Sequence, residues 1–258
     1  MPRIHIIPEL NNIEEYLVFA KDNGLAFEYN EFFMPDVISS KDKVNEIIGE
    51  YKKYDLPEGS TLHGAFFDVT VFSSDPDIRE VSRKRVIDSM EAARSIGAKG
   101  VVFHTNYMPG FLNKPYRDGW VNDNAEFFGE VLEKYKDLSL YMENMFDVDP
   151  ELLTKVSEKL SSYDNYGVCF DYAHASLGSA SMDEWVTSLA PYVKHIHIND
   201  NDKVEDLHLA LGDGILDYQA FAEYYKKYMK GASILLEMKG LEKQKKSLEK
   251  VLDMGLDK

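Results

Sequence analysis

Two textures alternate along the chain. Short runs rich in Ile, Val, Leu and aromatic residues recur at 3–7, 25–33, 61–67, 100–104, 138–143, 166–172, 193–198 and 233–237. Between them lie segments with apolar residues at three- and four-residue spacing and charges in the gaps. The first texture predicts eight strands and the second predicts helices, among them 12–23, 77–96, 122–135, 150–160 and 242–252. Asp75-Pro76-Asp77 and Asp149-Pro150-Glu151 place acids and Pro where a helix begins. Strands that alternate with helices imply a parallel sheet with right-handed crossovers, and eight such units in 258 residues predict one (β/α)8 TIM barrel spanning 1–258. An open doubly wound sheet would carry a Gly-rich phosphate turn, and neither GxGxxG nor GxxxxGK[ST] occurs.

A barrel demands that functional residues lie at the C-terminal ends of its strands. His63 falls late in the third predicted strand, His104 ends the fourth, Glu143 the fifth, Asp171 the sixth, His197 falls late in the seventh and Glu237 ends the eighth. Apolar neighbours (Leu236 and Met238, Ile196 and Ile198) turn Glu237 and His197 inward. Carboxylates that close repel one another and resist ionisation, so a divalent cation accounts for their convergence. Asp171-Tyr172-Ala173-His174 adds an imidazole, and Asp206 and His208, two apart, share a side if the backbone is extended. These nine residues exceed the four ligands of one zinc ion, so either several metals bind or some of the nine hold substrate.

Other positions read more plainly. His5 and His195 are expected to be structural, His195 with the option of a hydrogen bond to a ligand side chain from one layer deeper. Cys169 reads as a small buried group and Trp185 as helix core, while Trp120 is a candidate pocket wall. Glu28 and Asn30 have inward parity in the second strand and are candidates for sugar hydroxyls. The stretch 105–119 reads as a lid, with Lys114 and Arg117 as candidates for a substrate phosphate.

Charge narrows the partners. With 29 Lys and Arg against 45 Asp and Glu, the net charge is −16, which repels a polyanion over most of the surface and disfavours nucleic acid. Screening confines such effects to about 10 Å, so a local cleft can still take a phosphate. A single cysteine excludes an intrachain disulfide and a Cys-rich zinc site. Residues 1–12 lack the apolar core of a signal peptide, and no run approaches the roughly 18 apolar residues of a membrane span. The expectation is a soluble cytoplasmic protein with no membrane partner.

The ordered set Leu62-His63-Gly64-Ala65-Phe66, Val102-Phe103-His104, Met142-Glu143-Asn144, Phe170-Asp171-Tyr172-Ala173-His174, His195-Ile196-His197-Ile198-Asn199-Asp200, Asp206-Leu207-His208, Leu211-Gly212-Asp213-Gly214 and Leu236-Glu237 resembles the xylose isomerase-like, apurinic-endonuclease-family-2 barrels. That superfamily includes sugar isomerases and epimerases and also endonuclease IV. Likeness to the isomerase and epimerase branch implies one divalent ion, often manganese, on Glu143, Asp171, His197 and Glu237, with His174 touching substrate. Glu143 and Glu237 would then be the catalytic pair, moving a proton through a metal-stabilised enediolate, and His63, His104 and His208 would be free for substrate. Likeness to the endonuclease branch implies three zinc ions on all nine positions.

The leading expectation is a metal-dependent isomerase or epimerase of a small sugar or sugar phosphate. Its alternative is an endonuclease IV-like zinc phosphodiesterase acting at abasic DNA sites, which the extra histidines favour and the acidic or apolar loops 31–36 and 66–69 disfavour. A barrel that binds without turnover has little need for so many ligand-type groups.

Overall fold

The computed structural model describes residues 4–256. Eight parallel strands run in sequence order around a closed barrel: β1 (Ile4–Ile6), β2 (Ala26–Tyr29), β3 (Thr61–His63), β4 (Gly100–His104), β5 (Ser139–Glu143), β6 (Tyr166–Asp171), β7 (Val193–Ile198) and β8 (Ser233–Leu236). Pairing of His5 with Leu235 and of Ile6 with Leu236 closes the sheet, so no strand edge is left open. The expected start of the first strand at Arg3 lies outside the described residues. Among the described residues ten α-helices accompany the strands: α1 (Ile13–Asn23), α2 (Pro35–Ile38), α3 (Lys41–Tyr51), α4 (Pro76–Ile96), α5 (Lys114–Lys134), α6 (Glu151–Leu160), α7 (Tyr172–Leu177), α8 (Met182–Leu189), α9 (Tyr218–Tyr224) and α10 (Leu241–Asp253).

Local chemistry sets several boundaries. Asp75 Oδ1 accepts the Asp77 and Ile78 N–H groups with Pro76 in the first turn, which starts α4, and Gly97 at φ 92° ends it. Two expected strands stop early. β2 ends at Tyr29 rather than 33, and β3 ends at His63 rather than 67. At Gly64 a Cβ would collide with the Phe103 ring, so glycine is what lets the chain turn off β3 against β4. The fourth connection also differs from expectation, because the helix begins at Lys114, with Asn113 Oδ1 accepting the Tyr116 N–H, and absorbs residues 114–119 of the expected lid.

Strand parity divides the barrel into two environments. Val101, Phe103, Leu140, Met142, Val168, Phe170, Ile196, Ile198, Ile234 and Leu236 join the apolar layer shared with the helices. Their alternates point inward, where the side chains become mostly polar. Register sets His104 beside Glu143, Glu143 beside Cys169, and Asp171 beside His197.

Candidate active site and metal centre

All nine expected donors meet at the C-terminal mouth, in three groups. His63, His104 and Glu143 form one, Glu143, Asp171, His197 and Glu237 the second, and His174, Asp206 and His208 the third; within each group one donor atom per residue lies within 4.8 Å of the others. Glu143 is shared by two. Its Oε2 lies 3.2 Å from His104 Nε2 and 3.7 Å from His63 Nε2, while its Oε1 lies 3.3 Å from His197 Nδ1 and 3.4 Å from His174 Nδ1. The Nε2 atoms of His63 and His104 face each other at 3.1 Å. In the third group Asp206 Oδ2 stands 3.3 Å from His174 Nε2 and 3.0 Å from His208 Nε2.

Backbone carbonyls aim the imidazoles. A carbonyl oxygen can only accept, so Nδ1 of His63, His174 and His208 donates to Gly64 O (3.0 Å), Asn144 O (2.9 Å) and Glu237 O (2.8 Å). Neutral rings held in this way turn the Nε2 lone pair to the mouth. His197 is reversed, with Nε2 3.2 Å from Glu28 Oε1 and Nδ1 on the cluster side. The Asp171-to-His174 spacing has a local cause, because Asp171 Oδ1 caps α7 by accepting the His174 N–H and folds that ring back over the strand end. Asn144 fixes the same end by exchanging two hydrogen bonds with the Asp171 backbone.

The loop that carries Asp206 and His208 is organised by Asp200. Asp200 pairs its backbone with Leu209, and its carboxylate accepts the Gly212 and Leu216 N–H groups. Asp206 and His208 do fall on one side, with His208 at φ 45° rather than extended.

Donor chemistry fits divalent cations. Both Glu143 oxygens, Asp171 Oδ2 and His197 Nδ1 are buried without a hydrogen-bond partner, which is costly unless an ion uses them. Charges inside the cluster answer one another. Burial alone would raise Glu143, but the His197 and His104 imidazoles hold it well below the usual carboxylate range. Against the same burial, His197 and His208 draw Glu237 down to about 2. Burial would lower His208, yet Glu237 and Asp206 lift it to about 10. His174 is raised well above its ordinary value, its burial outweighed by Asp171, Asp206 and Glu143. Asp171 goes the other way, pushed well up by burial and then by Glu237 and Glu143. His174, His197 and His208, all raised, thus hold protons that divalent ions would displace, whereas burial lowers His104.

Beneath the mouth lies a second polar layer. Glu28 is fully buried, and its Oε2 accepts from Thr61 Oγ1 at 2.7 Å and from His195 Nε2 at 3.2 Å. His195 Nδ1 meets Ser233 Oγ at 2.6 Å, and Thr61 Oγ1 also meets His5 Nδ1 at 3.3 Å. Glu28 therefore has the inward parity expected of it but is sealed one layer too deep to reach a sugar.

The mouth itself opens into a cavity of about 370 Å³, lined among others by Phe33, Phe66, His63, His104, His174, His208 and Glu237. Phe33 and Phe66 pack 5.1 Å apart over the two facing histidines. Three expected substrate contacts lie elsewhere. Trp120 is fully buried and donates its indole N–H to Thr105 O, so it supports the loop after β4 from below. Lys114 is paired with Asp118 along α5, and Arg117 with Glu151 across to α6. Lys114 is thus tied to its own helix and Arg117 to the next, and neither lines the cavity. Two lysines that sequence reading passes over, Lys239 and Lys243, line it instead. Asn199, which the sequence offers only as part of a motif, donates to Glu237 Oε2 at 3.2 Å.

Comparison with known proteins places this geometry in a family. Residues 18–255 match the xylose isomerase-like TIM barrel family. The uncharacterized protein MJ1311 of Methanocaldococcus jannaschii is 25% identical over 198 residues, covering 73% of this chain and 67% of that protein. Among solved structures, the TTHB071 protein from Thermus thermophilus, soaked with ZnCl2, superposes with a TM-score of 0.77 at 24% identity over 98% of this chain and 97% of the other. A D-tagatose 3-epimerase-like protein gives 0.74 at 20% identity, covering 98% and 97%. Endonuclease IV from Thermus thermophilus gives 0.64 at 17%, covering all of both chains. At such identities the solved structures share the fold. The chain belongs to the xylose isomerase-like TIM barrel family.

Proposed function

We propose that the protein is a metal-dependent phosphoester hydrolase of a small substrate, with up to three divalent ions, zinc foremost, at the mouth. One observation carries this reading over the single-metal isomerase: His63 and His104, although they line the cavity, converge on each other and on Glu143 as ligands of one ion would. Residues that only bound hydroxyls would spread along the cavity wall. The donor set fits, with Glu143 serving two groups and the third completed by His174, Asp206 and His208. When bound, such ions lower the pKa of a water to about 7 and act as Lewis acids toward phosphoryl oxygens.

The chain's own residues prepare that chemistry. Three backbone carbonyls hold three rings in the tautomers that present a lone pair, and Glu28 Oε1 stands 3.2 Å from Nε2 of a fourth, His197. Asn199 steadies Glu237, while Phe33 and Phe66 wall one side of the cavity and exclude water. The cavity size and the net charge of −16 favour a small substrate over duplex DNA.

The test is elemental analysis of protein purified without chelator, followed by turnover of bis(p-nitrophenyl) phosphate and nicking of an abasic duplex. Two or three zinc ions per chain with hydrolysis of the small ester are expected. One ion per chain and no hydrolysis would overturn the reading. An isomerase or epimerase of a sugar or sugar phosphate is the second reading, favoured by the buried Glu143, Asp171, His197 and Glu237 group, which supplies four ligands for one divalent ion such as manganese. Glu143 and Glu237 would then exchange a substrate proton as base and acid. Epimerisation in a sugar panel by protein holding one ion would establish it.

A further inference from the structure

We propose that Lys239 and Lys243 form a subsite for a second anionic group and that Asn30, lining the same cavity, takes a substrate hydroxyl, so that the substrate class is a small hydroxylated phosphoester carrying another phosphate or a carboxylate. This rests on the phosphoester reading and adds to it the identity of the far end of the substrate. The cavity is two-sided. Its histidines, Asp206 and Glu237 come from the metal-type groups, and Lys239 and Lys243 are the only Lys or Arg residues among those that line it.

The fold brings these two together. Lys239 lies two residues beyond Glu237, and Lys243 is four further on, across the first turn of α10, so the strand end and the helix start present both to one space. Among the described residues no acid forms a direct ion pair with either, although Glu31 lies near enough to Lys239 to feel its charge. The ion pairs along α10 are Lys245 with Glu242 and Lys246 with Asp213, and among the described residues neither Lys239 nor Lys243 has a carboxylate oxygen within 4.0 Å. Three arginines elsewhere on the chain have partners of their own. Arg83 donates to Val71 O, Arg85 to Phe67 O and Asp68 O, and Arg117 to Glu151.

Asn30 supplies the independent observation. It lines the same cavity from the end of β2, and its Oδ1 is buried with no hydrogen-bond partner. A buried amide oxygen of that kind calls for a donor from a ligand, and a substrate hydroxyl is the neutral group that provides one. The ammonium groups of the two lysines that line the same cavity bind an anion through charge-assisted hydrogen bonds. They also lessen, at the point of entry, the repulsion that a chain of net charge −16 would otherwise offer an anionic substrate. A volume of about 370 Å³ admits a molecule the size of a sugar bisphosphate.

Calorimetry on the zinc-loaded full-length chain tests the subsite without requiring turnover. The probes are fructose 6-phosphate, with one anionic group, and fructose 1,6-bisphosphate and 6-phosphogluconate, each with two. Either two-anion probe is expected to bind about tenfold tighter than fructose 6-phosphate, and the tighter of the two tells whether phosphate or carboxylate is preferred. Lys239→Gln and Lys243→Gln should each narrow that ratio, and the double variant should bring it to about one. Lys245→Gln, on the same helix but paired with Glu242, should leave it unchanged. Equal affinities for one- and two-anion probes in the unaltered protein, no binding of any probe at millimolar concentration, or a ratio that survives the double variant would each overturn the subsite. Failure to hydrolyse bis(p-nitrophenyl) phosphate with the ratio intact would instead remove the hydrolase reading alone.

Discussion

The barrel interior holds two polar layers, one at the mouth and one beneath it, built from the same residue types. In the deeper layer Glu28, His195, Thr61, Ser233 and His5 hydrogen-bond mainly to one another. At the mouth Glu143, Asp171 and His197 converge with donor atoms left unpaired. Buried polar groups that find partners inside the protein stabilise a structure, whereas groups that converge without partners await something from outside. Glu28 joins the layers, because its Oε2 belongs to the deep network and its Oε1 faces His197.

The largest expected effect tests the mouth. Glu143→Gln should remove more than one zinc ion per chain and lower hydrolysis by at least about a hundredfold, because loss of a shared ligand should exceed the 10–100-fold typical of an outer-shell partner. Full metal content with full activity would erase the distinction between the layers. Next comes the link between them. Glu28→Gln keeps the shape but lets the amide accept on one side only, so zinc affinity should fall about tenfold to a hundredfold in a competition titration while the far-ultraviolet spectrum is retained. Unchanged affinity would make the deep layer a scaffold and nothing more.

A pH series sharpens the contrast further. His208, lifted to about 10, supports the chelator-treated fold fully below about 6.5, and that contribution is lost as pH rises to 10. Burial, with Glu237 and Glu143 adding to it, raises Asp171, which also costs stability as pH rises. Glu237, drawn to about 2, contributes fully above about 4.5 and loses that as pH falls to 2. Thermal denaturation in chelator should therefore give its highest Tm between about pH 5 and 6 and a lower one at pH 9, while zinc affinity rises with pH as imidazole protons leave. A Tm that climbs from pH 6 to 9 would contradict the charge balance assigned to the mouth. Smallest of all, Lys114→Ala should change stability by no more than about 0.5 kcal/mol and leave turnover unaltered, since its pair with Asp118 is exposed. A marked loss of turnover would return the loop after β4 to the substrate.

Much of this was legible in the chain. Eight apolar runs, each followed by a helical pattern, specify the barrel, and strand-end position singles out His63, His104, Glu143, Asp171 and His197. Parity served less well for Glu28. A period of two tells which side of a strand a residue takes but not how deep in the barrel it sits, so a candidate for substrate turned out to lie below His197. Trp120, Lys114 and Arg117 misled for a related reason. Their stretch looked like loop, and the Asn113 cap that starts α5 early turned them toward Thr105 O, Asp118 and Glu151.

What the sequence by itself determined is the set of elements and the chemical types at their ends, because hydrophobic periodicity and strand parity act over a few residues. Only the tertiary structure decided how nine donors divide into three groups, which nitrogen each imidazole presents, and that Lys239 and Lys243 face the same cavity as Asn30. Those outcomes depend on barrel closure, on carbonyls supplied by other strand ends and on loops held by Asp200, contacts between residues far apart in the chain that no local pattern encodes.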